Sequence, residues 1–417
     1  MQYKIFGCKV NKFYINKRLW YFDQNNLSND QNYLIATCVV TDRAKNKWLK
    51  DVLKNLSEWK TIYITWCGVF DRWKLIAQDK FYSIYPELKP FQNQISLLSE
   101  EPEQWSNETM KQWNNETFKS SNNLYTKKFI LIQNGCDNFC TFCLTIMKRW
   151  KHRSRPLKEI IDEINDFYSS GWKEIVLTWI NLAARWCDNT NQISQSKFSY
   201  LLQEILSQTT IPRIRISSIW PEYLDDEFFD IIKNPRIMPH FHISIQHFAD
   251  NILKAMNRNY DNAHLTKVLN QFQSLKKDIP ISIGADLIVW FPWETQSDFQ
   301  QMLDAIPKYN ITKVHEFPFS WHNKRESVPA WKLDNQIPHL VKLSRKKQLN
   351  LIASQVRSDF VSQNKWLAHS VLIESQKDDK RQWWTDNYIH VQLDWNYFKW
   401  DIISVDSITP TEILDID

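Results

Sequence analysis

The hydrophobic and polar positions of this chain follow a repeating strand–helix pattern from about residue 126 onward. Apolar, strand-like runs are separated by stretches in which apolar residues recur at helical spacing, for example 157–168, 198–206 and 295–306. Thr295 and Asp298 form a capping-box-like start for the last of these helices. Six β–α repeats predict a parallel sheet curled into a partial barrel, with chemistry at the carboxyl ends of its strands. The predicted strands are Lys128–Gln133, Glu174–Thr178, Arg213–Ile219, His240–Gln246, Ile281–Val289 and Lys313–Ser320.

The segments on either side of this repeat have different patterns. Residues 1–90 alternate strand-like runs, such as Tyr33–Cys38 and Thr61–Thr65, with charged helical stretches, which predicts a small α/β domain. Residues 91–125 are polar and predict a linker or a long surface loop. The C-terminal residues lose the helical period, and short β-like runs there predict a small β-barrel. These runs are Ser370–Glu374, Tyr388–Gln392 and Ile402–Val405.

Three cysteines follow the first strand of the repeat with the spacing C-x3-C-x2-C. They are Cys136, Cys140 and Cys143, with no fourth cysteine close by. Soft thiolates suit an iron–sulfur cluster, which normally takes four cysteines, and a cluster held by three keeps one iron open. An open iron can chelate S-adenosylmethionine and reduce it to a radical. Zinc with His152 as the fourth ligand is the alternative, although structural zinc usually shows C-x2-C pairs and His152 sits in a basic run.

Three further cysteines fall at or just beyond the ends of strand-like runs in the N-terminal domain. These are Cys8, Cys38 and Cys67. A single buried cysteine usually behaves as a small apolar residue, but adjacent strand ends bring distant residues together. From the residues alone, a second metal site and ordinary buried thiols both remain open. Cys187 has no partner in the pattern and is expected to be an ordinary thiol.

Composition and charge restrict the location and the partners of the protein. The 52 lysines and arginines exceed the 47 acidic residues by five, which mildly favours a polyanionic partner. The first residues lack the apolar stretch of a signal peptide, and no run of about 18 apolar residues predicts a membrane span. Seven cysteines, an odd number, fit a reducing cytosol and metal or redox chemistry. We therefore expect a cytoplasmic protein with no membrane partner.

The chain contains 21 tryptophans and only 5 glycines, whereas roughly 7% glycine is usual. One explanation is a tryptophan-rich core or a set of base-stacking aromatic side chains. However, the segment Ile288–Thr295 has the pattern of a strand, a tight turn and a helix start, and Trp290 and Trp293 occupy turn positions that favour glycine. Our hypothesis is that many tryptophans are UGA codons that the source organism translates as glycine. UGG at codons 66, 179, 290 and 293 would contradict it.

The chain resembles the radical-SAM methylthiotransferases along nearly its whole length, and most closely the branch acting on N6-threonylcarbamoyladenosine in tRNA. The choice of branch depends mainly on residues 7–11. The family has glycine where this chain has Trp66, Trp150, Trp179, Trp290 and Trp293. The segments that carry the resemblance are Gly7–Asn11, Thr37–Thr41, Thr65–Cys67, Gln133–Cys143, Arg153–Pro156, Ser217–Ile219, Ser244–Gln246 and Thr385–Tyr388.

The resemblance implies an α/β protein of three domains. These are an N-terminal methylthiotransferase domain at 1–115, a central partial (β/α)6 radical-SAM barrel at 122–354, and a small C-terminal β-barrel at 357–417 that resembles a TRAM RNA-binding domain. It implies two 4Fe-4S clusters, one on Cys136, Cys140 and Cys143 and an auxiliary one on Cys8, Cys38 and Cys67. One S-adenosylmethionine would yield a 5′-deoxyadenosyl radical that removes hydrogen from C2 of the adenine. The auxiliary cluster would supply the sulfur and a second S-adenosylmethionine the methyl group.

Several side chains are candidate contacts for S-adenosylmethionine or RNA, and no catalytic residue is expected beyond the cluster ligands. Phe142 can pack beside the adenine of the cofactor or merely shield the cluster. Ser244 and Gln246 lie on one face of their strand and either bind the ribose or methionine moiety or form a hydrogen-bonded polar core pair. Glu294 is either a ligand contact or a helix N-terminal charge, and we expect the latter. The basic run 148–155 is either an ordinary solvated face or, since it lies next to the proposed chemistry, a phosphate contact, and we expect the latter.

The implied partner is the anticodon loop of tRNA, where the modified adenosine occupies position 37. An RNA-modifying enzyme needs its base reachable, usually in a single-stranded loop. Alternative substrates are an isopentenylated adenosine 37 and a ribosomal protein aspartate. If the tryptophans are genuine, a catalytically inactive RNA-binding protein is a further alternative. The electron donor and the sulfur donor are not indicated by the sequence.

Overall fold

The structure is a computed structural model that describes most of the chain. Cys8, Trp150 and Cys187 lie outside the described residues, as does most of the expected 91–125 linker. Among the described residues, no helix is both long and apolar enough to cross a membrane. The described residues are 1–6, 9–39, 41–72, 74–99, 126–149, 152–179, 198–275, 278–320, 328–333, 337–377, 380–393 and 401–408.

The N-terminal part contains a four-stranded parallel sheet in the order β1-β2-β3-β6. The central strand β2 is buried along its whole length, as expected for a strand covered on both faces. A two-stranded hairpin, β4–β5, projects after β3. The elements are β1 (Gln2–Ile5), α1 (Lys9–Gln24), β2 (Asn32–Thr37), α2 (Asp42–Ser57), β3 (Thr61–Trp66), β4 (Phe70–Asp71), β5 (Lys74–Leu75), α3 (Gln78–Ile84), a 3-10 helix (Pro86–Gln94) and β6 (Ile95–Leu97).

The central part is the predicted partial barrel. Its strands form two parallel sheets, in the orders β11-β10-β7 and β12-β13-β14-β15, and a break at Ser217 separates β11 from β12. The predicted strands 174–178 and 240–246 are confirmed residue for residue. The predicted strand 128–133 divides, because Gln133 and Asn134 instead pair antiparallel with β9. The first elements are β7 (Lys128–Leu131), β8 (Gln133–Asn134), α4 (Thr145–Lys148), β9 (Arg153–Ser154), α5 (Leu157–Ser169), β10 (Glu174–Thr178), α6 (Phe198–Gln208), β11 (Arg213–Ile216) and β12 (Ser218–Ile219).

The second half of the barrel continues the same alternation. Thr295 caps helix α10, and the capping box with Asp298 is present as the sequence predicts. The elements are a 3-10 helix (Pro221–Tyr223), α7 (Asp226–Ile231), β13 (His240–Gln246), α8 (Asp250–Ala255), α9 (Asn262–Ser274), β14 (Ser282–Val289), α10 (Gln296–Lys308), β15 (Ile311–Pro318), a 3-10 helix (Pro329–Lys332) and α11 (His339–Asn364).

The C-terminal part is an antiparallel sheet in the order β18-β17-β16-β19. The expectation that residues from 357 onward are non-helical is wrong, because α11 runs to Asn364. Phe360 and Val361 of this helix belong to the C-terminal hydrophobic core, so burial keeps the last turns helical. The predicted strand 388–392 instead begins at His390, since Tyr388 has a left-handed φ of 70°. The strands are β16 (His369–Lys377), β17 (Lys380–Thr385), β18 (His390–Leu393) and β19 (Ile402–Val405).

A buried ion cluster lies at the amino ends of the barrel strands. The fully buried Glu174 carboxylate accepts from Arg213 Nε at 2.7 Å and from Arg215 Nε at 2.6 Å, and Lys127 Nζ is 3.9 Å away. Burial alone would raise the pKa of the Glu174 carboxyl, but the three cations lower it to about 2. Glu174 is therefore ionised, and its charge orients both arginines.

The two arginines attach the C-terminal sheet to the barrel. Arg213 Nη1 donates to the hydroxyl of Ser370 at 2.8 Å, and Arg215 donates to the carbonyls of Thr385 and Asp386 at 2.8 and 2.9 Å. The Tyr388 ring stacks on His240 with centroids 4.4 Å apart. Because these contacts come from the amino ends of β11 and β13, the C-terminal sheet lies at the opposite end of the strands from the cysteine loop.

Tryptophan occupies a helix-ending position that favours glycine. At the end of α2, Trp59 N–H donates to the Leu56 carbonyl at 3.0 Å and Lys60 N–H to the Asn55 carbonyl at 3.2 Å. This pair of bonds is a Schellman motif, in which the residue at the Trp59 position is left-handed and usually glycine. Trp59 has a φ of 59° and a side chain 83% exposed, so little packing offsets the backbone cost.

The end of α5 shows the same motif built with glycine. Gly171 N–H donates to the Tyr168 carbonyl at 2.9 Å and Trp172 N–H to the Phe167 carbonyl at 3.0 Å. Gly171 has a φ of 97° and occupies the position that Trp59 has in α2. One backbone geometry therefore carries glycine in one helix and tryptophan in another.

Other tryptophans share the left-handed conformation. Trp66, Trp290, Trp293 and Trp366 have φ values of 78°, 68°, 71° and 69°. Trp179 is not among the left-handed residues, and its buried ring packs on Phe198 with centroids 5.2 Å apart. The backbone thus supports the glycine hypothesis at Trp66, Trp290 and Trp293, extends it to Trp59 and Trp366, and gives no support at Trp179.

We predict UGA at codons 59, 66, 290, 293 and 366, because the left-handed conformation costs a non-glycine residue roughly 1–2 kcal/mol. Sequencing the coding DNA tests this directly. UGG at these five codons would overturn the hypothesis.

A protein-level measurement provides a second check of this hypothesis. Trp59→Gly should raise the free energy of unfolding by about 1 kcal/mol, since strain is relieved and the exposed ring contributes little. Trp172→Gly is the matched control: its ring is 2% exposed, so the cavity should cost about 3–5 kcal/mol. Urea denaturation of the two variants measures both effects.

Glu174→Gln should lower the free energy of unfolding by about 3–5 kcal/mol at pH 7, because two buried guanidinium groups lose their counter-charge. The exposed ion pair Lys158–Asp162 supplies the control: Lys158→Ala should change the free energy of unfolding by less than about 1 kcal/mol. The pKa of Glu174 is lower in the folded protein than its ordinary value of 4.5. The difference between wild type and Glu174→Gln should thus persist above about pH 4.5 and shrink as the pH falls towards 2. Urea unfolding of metal-free protein at several pH values measures this, and a pH-independent difference would contradict it.

Candidate active site

The cysteine loop lies between β8 and α4, at the carboxyl end of the barrel. Gly135 has a φ of 86° and allows the chain to turn into the loop. Gln133 Nε2 donates to the Gly135 carbonyl at 2.6 Å, and Cys136 N–H donates to the Arg149 carbonyl at 3.1 Å. These two hydrogen bonds hold the start of the loop and fix the position of its first cysteine.

The three thiols of this loop fit an iron–sulfur cluster. Cys136 and Cys140 are buried, and Cys143 is half-buried. Cys136 Sγ accepts from Asn138 N–H at 3.4 Å and Cys143 Sγ from Thr145 N–H at 3.3 Å. Hydrogen bonds of this kind stabilise thiolate charge on cluster ligands. Three soft donors in one short loop match the expected donor set.

The environment of His152 gives no support to zinc with this ligand. Its N–H donates to Asp137 Oδ1 at 3.0 Å, and its ring Nε2 lies 3.4 Å from the Ser154 hydroxyl. Burial lowers the pKa of the imidazole. The His152 ring thus contacts the hydroxyl of Ser154 on the short strand β9.

Two cavities open beside the cysteine loop. The smaller one, about 170 Å³, is lined by Phe142, Cys143 and Gln246, among others. The larger one, about 820 Å³, is lined by Cys140 and Cys143 together with residues of the β4–β5 hairpin. A volume of this size is typical of small-molecule sites. Phe142 and Gln246, predicted as cofactor contacts, are thus brought together next to the last cysteine, which lines both cavities.

Ser244 and Gln246 lie near the carboxyl end of β13, where the pairing with β14 is irregular, and they have different surroundings. Gln246 lies at the strand end with a φ of 67° and faces the smaller cavity. Ser244 lies two residues deeper, and its hydroxyl donates to Asp286 Oδ2 at 3.2 Å. Ser244 thus forms a hydrogen-bonded polar pair with Asp286, whereas Gln246 lies at the cavity where a cofactor contact is predicted.

The barrel strands also carry a polar cluster, His242, Asp286 and His315, that was not predicted from the sequence. His242 Nε2 lies 2.7 Å and His315 Nδ1 3.6 Å from Asp286 Oδ1. Burial alone would raise the pKa of the Asp286 carboxyl, but His242 and His315 hold it well below its usual range. Gly284 makes room for this arrangement, since a Cβ there would lie 2.5 Å from His242 Nδ1. These residues come from three strands and share no local motif, so only the folded sheet brings them together.

The second set of cysteines follows three adjacent parallel strands. β1 pairs with β2 and β2 with β3, with Thr37 opposite Trp66. Cys38 and Cys67 come directly after these two residues and are buried, while Cys8, which follows β1, lies outside the described residues. Cys38 and Cys67 therefore lie at strand ends, as the sequence predicts.

Arg149 links the two cysteine regions. Its guanidinium is buried and donates to Cys67 Sγ at 3.0 Å and to Asn11 Oδ1 at 3.3 Å. Its carbonyl accepts from Cys136. The expectation of phosphate contact is thus wrong for Arg149, and it is also wrong for Lys148, which is 5% exposed.

Glu294 does not act as a helix N-terminal charge, contrary to expectation. Its carboxylate accepts from Trp290 N–H at 2.9 Å and forms a buried ion pair with Arg345 of α11. Thr295 occupies the N-cap instead. Glu294 therefore closes the turn after β14 and anchors it to α11.

The comparisons with known proteins agree with this geometry. The Radical SAM superfamily model matches residues 130–306, which contain all three cysteines of the loop. A threonylcarbamoyladenosine tRNA methylthiotransferase MtaB from Thermotoga maritima is 31% identical over 353 residues, covering 82% of this chain and 78% of that protein. The chain belongs to the radical-SAM methylthiotransferase family. It is accordingly an enzyme, and the mixed α/β fold with a parallel central sheet is the fold predicted from the sequence.

Two further relatives show the breadth of this methylthiotransferase family. MtaB from Rickettsia prowazekii is 29% identical over 404 residues, covering 93% of this chain and 90% of that protein. A ribosomal protein uS12 methylthiotransferase RimO from Clostridium botulinum is 33% identical over 253 residues, covering 59% of this chain and 54% of that protein. The similarity to the tRNA-named relative from Rickettsia thus extends over more of both chains.

Gly284→Ala should lower the free energy of unfolding by about 1–3 kcal/mol, because the added methyl group would displace the His242 ring. His242→Ala removes that ring, so the double variant Gly284→Ala/His242→Ala should be more stable than the sum of the single changes predicts. Urea denaturation of the four proteins measures this coupling. Additive effects would show that the close approach of Gly284 to His242 carries no energy.

Proposed function

We propose that this enzyme methylthiolates C2 of N6-threonylcarbamoyladenosine at position 37 of tRNA, using two S-adenosylmethionine molecules and two 4Fe-4S clusters. The observation that carries the proposal is the contact of Arg149 with both cysteine regions, the Cys136 amide on one side and the Cys67 sulfur on the other. Radical formation and sulfur delivery need two centres close to a single substrate base. The names and the coverage of the MtaB relatives support the choice of substrate.

The proposed cluster ligands are two groups of three cysteines. Cys136, Cys140 and Cys143 would hold one cluster, and Cys8, Cys38 and Cys67 the auxiliary one. When bound, the first cluster with S-adenosylmethionine supplies radical chemistry and the second supplies sulfur. The chain's own residues position these groups: Phe142 and Gln246 border the cavity next to Cys143.

The C-terminal module at 357–417 is proposed to bind the tRNA, with 1–115 and 122–354 holding the two clusters. It docks at the amino ends of the barrel strands, whereas the cysteine loop lies at their carboxyl ends. A seven-residue strand such as β13 is roughly 20 Å long at 3.3 Å per residue. A tRNA bound by both parts would therefore reach along the side of the barrel to place its anticodon loop at the cavities.

An isopentenylated adenosine and a ribosomal protein aspartate remain the alternative substrates. Two RimO relatives cover 59% and 84% of this chain, less than the 93% covered by the MtaB relative from Rickettsia, which favours the tRNA substrate. The catalytically inactive alternative requires genuine tryptophans at glycine positions. The left-handed backbone of Trp290 and Trp293 argues against that requirement.

Deletion of the gene should abolish 2-methylthio-N6-threonylcarbamoyladenosine in tRNA and leave N6-threonylcarbamoyladenosine to accumulate. Mass spectrometry of tRNA nucleosides measures both, and complementation should use a gene with glycine restored at the recoded codons. Unchanged 2-methylthio-N6-threonylcarbamoyladenosine would refute the proposed substrate. Loss of a methylthiolated isopentenyladenosine instead would establish the alternative.

A further inference from the structure

One cysteine in each of the two cysteine regions accepts a hydrogen bond from a buried arginine. Arg258 Nη1 lies 3.5 Å from Cys140 Sγ, and Arg149 Nη2 lies 3.0 Å from Cys67 Sγ. Both arginines are at most 8% exposed. At such depth a charge is weakly screened by solvent, so each guanidinium acts strongly on the sulfur beside it.

The donors to the other cysteines of the radical-SAM loop are different. Cys136 and Cys143 accept from the backbone amides of Asn138 and Thr145. These amides are neutral, and a hydrogen bond from a charged donor is roughly twice as strong. Among the described residues, the charged donor in this loop is thus the one that faces Cys140.

Several partners hold the Arg258 side chain in place. Its Nε donates to the Tyr260 hydroxyl at 3.0 Å and its Nη2 to the Ser244 carbonyl at 3.2 Å. The carboxylate of Glu222 is 3.8 Å from Nη2 and makes no hydrogen bond among the described residues. With its other nitrogens fixed, Arg258 has Nη1 directed at the cysteine sulfur.

The potential of an iron–sulfur cluster depends on its net charge, its burial and the hydrogen bonds to its sulfurs. A fixed cation favours the reduced cluster, which carries one more negative charge. We propose that Arg258 and Arg149 each raise the reduction potential of the cluster beside them, Arg258 acting through Cys140 and Arg149 through Cys67. Both are positioning residues, and the inference rests on the proposed pair of clusters. Their effect is to make each cluster easier for an electron donor to reduce.

Two cysteine-triple variants allow each cluster to be studied alone. Cys8→Ala/Cys38→Ala/Cys67→Ala would keep the radical-SAM cluster, and Cys136→Ala/Cys140→Ala/Cys143→Ala would keep the auxiliary one. Each protein is reconstituted anaerobically and titrated with dithionite while the reduced cluster is followed by electron paramagnetic resonance.

In the protein that keeps the radical-SAM cluster, Arg258→Met should lower the reduced-to-oxidised ratio at the unsubstituted midpoint by about tenfold, which is 59 mV for one electron. Arg149→Met should leave that midpoint unchanged. In the protein that keeps the auxiliary cluster, Arg149→Met should lower the midpoint potential and Arg258→Met should leave it unchanged. The lysine variants of both arginines keep the charge and should restore most of the potential.

A second variant covers the case in which Arg258→Met fails to retain its cluster. Glu222→Gln removes the negative charge opposite Arg258 and should move the midpoint in the positive direction. Unchanged midpoints in both Arg258→Met and Glu222→Gln would overturn the inference, as would equal shifts of both clusters by either arginine. Lysine variants that behave like the methionine variants would also overturn it, since they would show that the shape and not the charge matters.

The iron content separates this inference from the proposed function. Wild type should bind about eight irons and each cysteine-triple variant about four, as two 4Fe-4S clusters require. A triple variant with unchanged iron would refute the two-cluster proposal itself. Iron contents as expected, together with midpoint potentials that the arginine variants leave unchanged, would refute only the role of the arginines.

Discussion

Arg149 connects the N-terminal sheet to the barrel with both its side chain and its backbone carbonyl. Its guanidinium donates to Cys67, which follows β3, and its carbonyl accepts from Cys136, which begins the cysteine loop. A buried cation is costly to desolvate, so its position is determined by the partners that compensate its charge. Arg149 is therefore one of the contacts that fix the two cysteine regions relative to each other, together with the hydrogen bonds from Asn134 to Tyr14 and from Arg72 to Met147.

A second set of buried charges organises the other end of the barrel. Glu174, Arg213 and Arg215 fix the C-terminal sheet to the amino ends of the strands. The barrel consequently lies between the module proposed to bind RNA and the cavities beside the cysteines. This arrangement suits a large substrate such as tRNA, because a small molecule could not contact both ends of a seven-residue strand.

Backbone conformation adds a constraint that side-chain chemistry does not. The Schellman motifs that end α2 and α5 are alike in their hydrogen bonds, yet one contains Trp59 and the other Gly171. Near the proposed site, Trp290 and Trp293 are left-handed in the turn that Glu294 closes. The absence of a Cβ is what such positions require, so glycine explains both the geometry and the composition.

The sequence by itself determined the elements and motifs that local signals encode. Period-two and helical patterns placed β10 and β13, the capping box placed the start of α10, and the spacing of the cysteine loop indicated a cluster site. Only the tertiary structure decided which charges are buried and what they face: Arg149 and Arg258 against sulfur, and Asp286 between two histidines. These contacts join residues from different strands and loops, and the free energy of a buried charge depends on partners that no local pattern specifies.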